Sequence, residues 1–249
     1  MIITYYGLSC FKIQSGDITL VFDLPARNAS PASNAESVAS AGWRSDAGGP
    51  SKKSACLPAR QGITPPRFHA DIAFQSHDHA SHNGAKDLSE EKETFLINAP
   101  GEYEVKGVYV EGLKTYHDSV MGKKHGINTA YVVRLENIKL CFLGDYGEKG
   151  LRPELKEGID KIDILFVPIG GDTVLEPEAA RNLANQLEPA IVIPMHYNTS
   201  DKKKDALKSF LAEFGQKDIK PLEKFSIKKK DIAEDTARRG TQIIVLSAL

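Results

Sequence analysis

Seven histidines occur in the 249 residues, and five of them are spaced as a metal site would need. His77, His79 and His82 crowd into Ser76-His-Asp-His-Ala-Ser-His82, and His117 and His196 follow further along the chain. A lone histidine is ordinarily a surface or satisfied core residue. Two imidazoles at i and i+2 with a third at i+5 instead suit an irregular loop that turns all three toward one point. Neutral imidazole is a common ligand for zinc and also suits iron, so the cluster predicts a metal site.

The flanking segments show how such a site would be carried. Ala70-Asp-Ile-Ala-Phe-Gln75 is short, apolar and ends abruptly at polar residues, which predicts a buried strand feeding the histidine loop. His117 follows the alternating stretch Gly107-Val-Tyr-Val-Glu111. Asp145 closes the apolar run Lys139-Leu-Cys-Phe-Leu-Gly-Asp145, and His196 closes Ala190-Ile-Val-Ile-Pro-Met-His196 in the same manner. Strands that each deliver one candidate ligand at their tips are how sheet frameworks position loop sites.

Taken in order, His77-Asp-His-Ala-Ser-His82, His117, Gly144-Asp145 and His196 resemble the metallo-β-lactamase superfamily, whose first motif is His-x-His-x-Asp-His. Pro100-Gly-Glu-Tyr-Glu-Val, Val167-Pro-Ile-Gly-Gly171 and Ile193-Pro-Met-His-Tyr-Asn198 make the chain look most like the metal-dependent hydrolase branch that includes ascorbate-6-phosphate lactonase. The resemblance covers residues 1–23 and 67–247. It implies a four-layer αββα sandwich of the α/β class, with two mixed sheets flanked by helices. It also implies that His77, His79 and His117 hold one metal, that His82 and His196 hold a second, and that Asp145 bridges the two and serves the catalysis.

One implied ligand is absent, because Ser81 stands where the family motif has aspartate. The second position would then keep Asp145, His82 and His196, and a second site that is weaker, exchange-prone or empty in the isolated protein is expected. Asp78, lying between the first two histidines, should point away from their common target and act as a supporting or capping group. Asp118, Tyr197, Asn198 and Thr199 adjoin the ligand candidates and would either contact substrate or serve as polar loop residues. His125 belongs to a glycine-flanked loop and would be solvated or at the site mouth.

The chemistry expected of this set is hydrolysis. A bound divalent ion, zinc in the first instance and manganese or iron as alternatives, lowers the pKa of its water from ~15.7 to about 7 and polarises a carbonyl or phosphoryl oxygen. The substrate that the resemblance favours is a small phosphorylated, ester or lactone-like molecule. One alternative is a non-catalytic metal-binding or regulatory protein, in which Ser81 marks lost chemistry. The other is a phosphodiesterase or nuclease.

Composition bears on these choices. A net charge of −1 and a pI near 6.7 do not supply the basic face that nucleic acid demands. Lys202-Lys-Lys204 and Lys228-Lys-Lys230 are short enough to be solvated faces. No apolar run approaches the ~18 residues of a membrane span, and the first residues show no secretory leader pattern, so a cytoplasmic location is expected. Cys10, Cys56 and Cys141 are too irregularly spaced for a disulfide framework or a Cys-x-x-Cys zinc site, and Cys141 should be a buried small hydrophobe.

Along the chain, strands are predicted at Ile2–Tyr6, Cys10–Gln14 and Ile18–Asp23, pairing as a meander. The second half should alternate, with strands at Ile162–Val167, Ala190–Ile193 and Thr241–Leu246 and helices at Glu176–Gln186 and Lys203–Phe214. Ala179, Ala180, Leu183 and Ala184 give the first of these helices an apolar face. All of this is expected to form one domain, 1–249, interrupted by a low-complexity insertion at about 25–66. That stretch holds six prolines and little large apolar surface, which favours a long loop. It is either a solvated insertion or a lid or partner-binding loop anchored by Trp43.

Overall fold

The computed structural model describes residues 1–26, 69–86, 88, 94–171, 173–197, 205–232 and 240–249. Most of the expected insertion, with Trp43 and Cys56, lies outside these residues, as do Asn198, Thr199 and Lys202-Lys-Lys204. Two mixed sheets face one another. The first contains β1 (Ile2–Gly7), β2 (Cys10–Ser15), β3 (Ile18–Phe22), β4 (Ile72–Phe74) and β5 (Phe95–Ile97). The second contains β6 (Gly101–Val105), β7 (Val108–Tyr116), β8 (Ile127–Leu135), β9 (Ile138–Phe142), β10 (Ile164–Pro168) and β11 (Ile191–Met195). β12 (Lys224–Ser226) joins the first sheet beside β1, and β13 (Gln242–Ile243) joins the second beside β11.

The expected meander is present: β1 pairs antiparallel with β2, and β2 with β3. β3, β4 and β5 then run parallel. Period-two patterning decides which side chains meet between the sheets. Ile3 and Tyr5, Phe11 and Ile13, Leu20 and Phe22, and Ile72 and Phe74 all point into the shared core. The intervening Cys10, Val21 and Ala73 face outward, where Ala85 and the helical Leu88 help cover them. Across the core, Phe22 stacks on Phe74 at 4.3 Å, and Phe11 meets Phe166 of the other sheet edge-on at 4.9 Å. Each such fully buried ring contributes about 1.5–3 kcal/mol by leaving water. The Tyr131 hydroxyl donates to the Gln75 carbonyl at 2.7 Å, pinning the second sheet to the end of β4.

Among the described residues, three helices lie on the outer face of the second sheet: α1 (Pro153–Ile159), α2 (Pro177–Leu187) and α3 (Ala206–Glu213). Leu155, Ile159, Ala180, Leu183, Ala184, Phe210 and Leu211 pack there against Val132, Cys141, Leu165 and Val192. The apolar face expected of α2 is therefore used, and Cys141 is the buried hydrophobe its sequence context suggested. α1 has no counterpart in the sequence reading: it is short, and its apolar face rests on Leu155 and Ile159 alone. The last strand is shorter than the stretch Thr241–Leu246 predicts, although Leu246 still bridges to Leu222. Lys229 is not merely solvated, since its ammonium lies 2.7 Å from Asp163.

Strand direction gathers the candidate ligands. β9, β10 and β11 are parallel, while β8 is antiparallel to both β9 and β7. β7, β9 and β11 therefore run the same way, and their C-terminal ends share one edge of the second sheet.

Candidate metal centre

Three candidate ligands leave these ends, and the other three come from the facing sheet. His117 directly follows β7, Asp145 lies just beyond β9, His196 directly follows β11, and the His77–His82 loop leaves β4 in the facing sheet. All six converge. Oδ2 of Asp145 lies 3.0 Å from His117 Nε2, 3.2 Å from His196 Nε2, 3.3 Å from His82 Nε2 and 4.0 Å from His77 Nε2. Among the described residues, three overlapping sets have donor atoms mutually within 4.8 Å: His77, His117 and Asp145; His82, Asp145 and His196; and His77, His79 and His82. The structure thus groups His79 with His77 and His82. The resemblance placed His79 with His77 and His117.

This arrangement suits a cation. A carboxylate oxygen facing several imidazole nitrogens sets lone pair against lone pair unless protons or metal ions lie between them. The electrostatics agree. Burial alone would raise the Asp145 carboxyl, but His196, His82 and His117 hold it well below the usual carboxylate range. Burial pulls His82 down, yet the carboxylates of Asp145 and Asp23 outweigh it and push the imidazole up to about 10. His77, buried among like groups, is lowered by desolvation and by His82. Imidazole nitrogen with carboxylate oxygen is a donor set for zinc, iron or manganese.

Residues that do not face the centre hold the ligands in place. Asp23 ends β3 in a left-handed conformation, with φ of 44°. It accepts from the Ser76 amide and hydroxyl, each at 2.7 Å. Its Oδ2 also lies 3.1 Å from His82 Nδ1, off the direction of a full hydrogen bond. His82 is thereby sandwiched between two carboxylates. Ser76 Oγ contacts His77 Nδ1 at 3.0 Å, so one serine joins Asp23 to a second ring. The Asp145 amide donates to Asn128 Oδ1 at 3.0 Å, and the Asn128 amide donates to Thr115 Oγ1 and the Leu143 carbonyl, stitching the ends of β7, β8 and β9 together. Gly144 permits this approach: a Cβ there would lie 2.6 Å from both Asn128 Oδ1 and Ser76 Cβ.

The β1–β2 turn supplies two further supports. Ser9 donates its hydroxyl to Asp145 Oδ1 at 3.1 Å, and the Leu8 carbonyl accepts the His196 amide at 2.8 Å. His196 itself has a φ of 52°, a left-handed conformation that costs a non-glycine residue about 1–2 kcal/mol. The sequence reading assigned no role to Ser9, Asp23 or Asn128. Asp23 carried a readable signal, a carboxylate ending an apolar strand as Asp145 does, and Asn128 is a polar residue inside an apolar run. Ser9 carried none.

Ser81 Oγ is 2.5 Å from His79 Nδ1, so the hydroxyl engages the ring nitrogen on the loop itself. Asp78 does turn away, but to the surface, where it accepts from Asn83 and Lys86 and braces the loop. Asp118 does not reach the centre. Its buried carboxylate accepts four backbone amides, those of Val120, Gly122, Lys124 and His125, and so shapes the following loop. That loop sets the exposed His125 ring edge-on to His117, with centroids 5.2 Å apart. Tyr197 is half-buried near Tyr5, with ring centroids 6.3 Å apart.

Comparison with known proteins agrees with this architecture. A UPF0173 metal-dependent hydrolase of Thermococcus kodakarensis is 28% identical over 163 residues, spanning 55% of this chain and 71% of the relative. A Thermoplasma acidophilum protein of the same description is 29% identical over 161 residues, 56% of this chain and 70% of its own. Among solved structures, a Thermotoga maritima protein assigned to the metallo-beta-lactamase superfamily as a Zn-dependent hydrolase superposes with a TM-score of 0.64 at 24% identity, covering 98% of this chain and 97% of that one. An isothiocyanate hydrolase from Delia radicum gut bacteria shares the fold at a TM-score of 0.63 and 13% identity, covering 92% and 99%. The family model described as Beta-lactamase superfamily domain matches residues 2–196, and the chain belongs to that superfamily.

Proposed function

We propose that this protein is a metal-dependent hydrolase of a small phosphorylated, ester or lactone-like substrate. The observation that carries the reading is the convergence of His77, His82, His117 and His196 on one oxygen of Asp145. His77, His79 and His117 would hold one ion, His82 and His196 a second, and Asp145 would be shared. Zinc is the favoured ion on donor chemistry.

A divalent ion held there supplies an activated water and a Lewis acid for the substrate oxygen. The chain's own groups supply the geometry. Asp145, fixed by Ser9 and Asn128, holds one carboxylate oxygen toward the ligands. Asp23 and Ser76 orient the rings of His82 and His77, as carboxylate and hydroxyl partners of metal-binding histidines commonly do. Ser81 contributes a neutral hydroxyl where the motif carries a carboxylate, which weakens the second position.

A second reading, a metal-binding protein without turnover, is favoured by Ser81 alone. A nuclease is disfavoured by the net charge of −1. A cytoplasmic location remains part of the proposal; no helix among the described residues is long and apolar enough to cross a membrane. The test is elemental analysis of protein purified without added metal, with assays on lactones, carboxylic esters and phosphoesters before and after zinc addition. Bound zinc with turnover of one class supports the hydrolase. Bound zinc with no turnover of any class supports the second reading, and no affinity for divalent ions overturns both.

A further inference from the structure

Among the described residues, six histidine rings form one connected group, and only His125 of the six belongs to none of the donor sets. Its ring is exposed, meets the ring of His117 with 81° between the planes, and has no hydrogen-bond partner among the described residues. His117 in turn meets His77 at 4.9 Å between centroids. His77, His79 and His196 are the half-buried ligands, through which the centre meets solvent.

The loop that carries His125 is braced far more than a solvated side chain requires. Oδ1 of Asp118 accepts the amides of Val120 and Gly122, and Oδ2 accepts those of Lys124 and of His125 itself. The Gly126 amide donates to the Gly122 carbonyl at 3.0 Å, and the Gly126 carbonyl accepts the His117 amide at 3.2 Å, so the loop closes onto the backbone of the ligand. Gly122 has a φ of 77°, and a Cβ there would lie 2.9 Å from both the Gly126 carbonyl oxygen and Tyr116 Cδ1. His125 is thereby held beside a ligand before any substrate arrives, as a preorganised group must be.

We propose that His125 contacts the substrate, donating a ring N–H to the carbonyl or phosphoryl oxygen that gains negative charge as water adds. This rests on the hydrolase reading of the centre. A neutral imidazole keeps one N–H, so the role needs no proton transfer to or from the ring. Removing one such donor typically costs about 10²–10³ in kcat.

Phenylphosphonate is the probe, because its tetrahedral oxygens stand in for the charged oxygen whichever substrate class is turned over. Zinc-treated wild type, His125→Ala, His125→Phe, His125→Asn and His125→Gln are titrated with it by calorimetry after elemental analysis of each. The Ala and Phe variants should bind about tenfold or more weakly, and at least one of the Asn and Gln variants, whose amides match the two ring nitrogens, should stay within about threefold of wild type. Zinc content should not change. In turnover assays the Ala and Phe variants should lose about 100-fold in kcat, with KM altered far less. Absent binding by wild type, equal binding by the Ala or Phe variant, or rescue by neither amide variant would overturn the proposal. So would zinc loss in the Ala variant, because His125 would then act only by supporting His117. Failure of the hydrolase reading would show separately, as no wild-type turnover in the ester, lactone and phosphoester assays with the phosphonate differences intact.

Discussion

The Ser9 hydroxyl donates to Oδ1 of Asp145 at 3.1 Å, across 136 residues of chain, which leaves Oδ2 of the same carboxylate to the imidazoles. The turn between the first two strands therefore aims the central carboxylate. Ser9→Ala should lower zinc affinity by roughly 10–100-fold, the usual effect of losing a group that orients a metal ligand. Chelator competition measures this, with circular dichroism confirming the fold. Unchanged affinity would mean that Asn128 and packing alone fix Asp145.

Ser81 sits against His79 where the superfamily motif has a carboxylate. Ser81→Asp should let the protein keep an additional equivalent of zinc through dialysis and should raise hydrolysis of whichever substrate class the wild type accepts. Metal content and initial rate are read on the same samples. A variant with no gain in zinc would show that the serine is not what limits the second position.

Gly170 leaves room for the His196 backbone: a Cβ there would lie 2.1 Å from the His196 carbonyl oxygen. Gly170→Ala must displace the strained segment that carries this ligand. A stability loss of about 1–3 kcal/mol is expected from such overpacking, together with weaker zinc retention. Denaturant unfolding and metal analysis test the two effects independently, and a variant as stable as wild type would exclude the clash.

Away from the centre, Asp71, just before β4, ties the first sheet to the β6–β7 turn of the second, with Lys106 Nζ at 2.6 Å and the Thr19 amide of β3 at 2.8 Å. Burial alone would raise its carboxyl, but Lys106 and the Thr19 amide outweigh this and hold it below the ordinary value. A folded-state pKa below the unfolded value of about 3.9 stabilises the fold at pH above that value, and the contribution is lost as pH falls through the lower folded pKa. The stability difference between wild type and Asp71→Asn should thus be full at pH 7 and shrink below about pH 4. Urea midpoints across that range decide it, and a difference independent of pH would refute the charge assignment.

Local pattern made much of this molecule legible. The apolar runs ending at His77, His117, Asp145 and His196 are strands because a buried strand needs little more than a short apolar segment with abrupt polar ends, and the structure ends strands at or near each of them. The three-strand opening and the apolar face of α2 follow from periodicities of two and 3.6. What escaped depended on weak local signals. α1 is one short helix with two buried residues, and the histidine loop's bracing by Asn83 and Lys86 is a surface arrangement that no periodicity encodes.

Residue type and order by themselves determined that this chain carries an imidazole-rich cluster on strand ends, lacks the motif aspartate at Ser81 and belongs with metal-binding sheet proteins. Only the tertiary structure decided that Ser9, Asp23 and Asn128 orient the ligands, and that His79 groups with His82. The physical reason is distance along the chain. A hydrogen bond spanning 136 residues is set by how two sheets pack, and whether a charge is satisfied depends on every group folded against it.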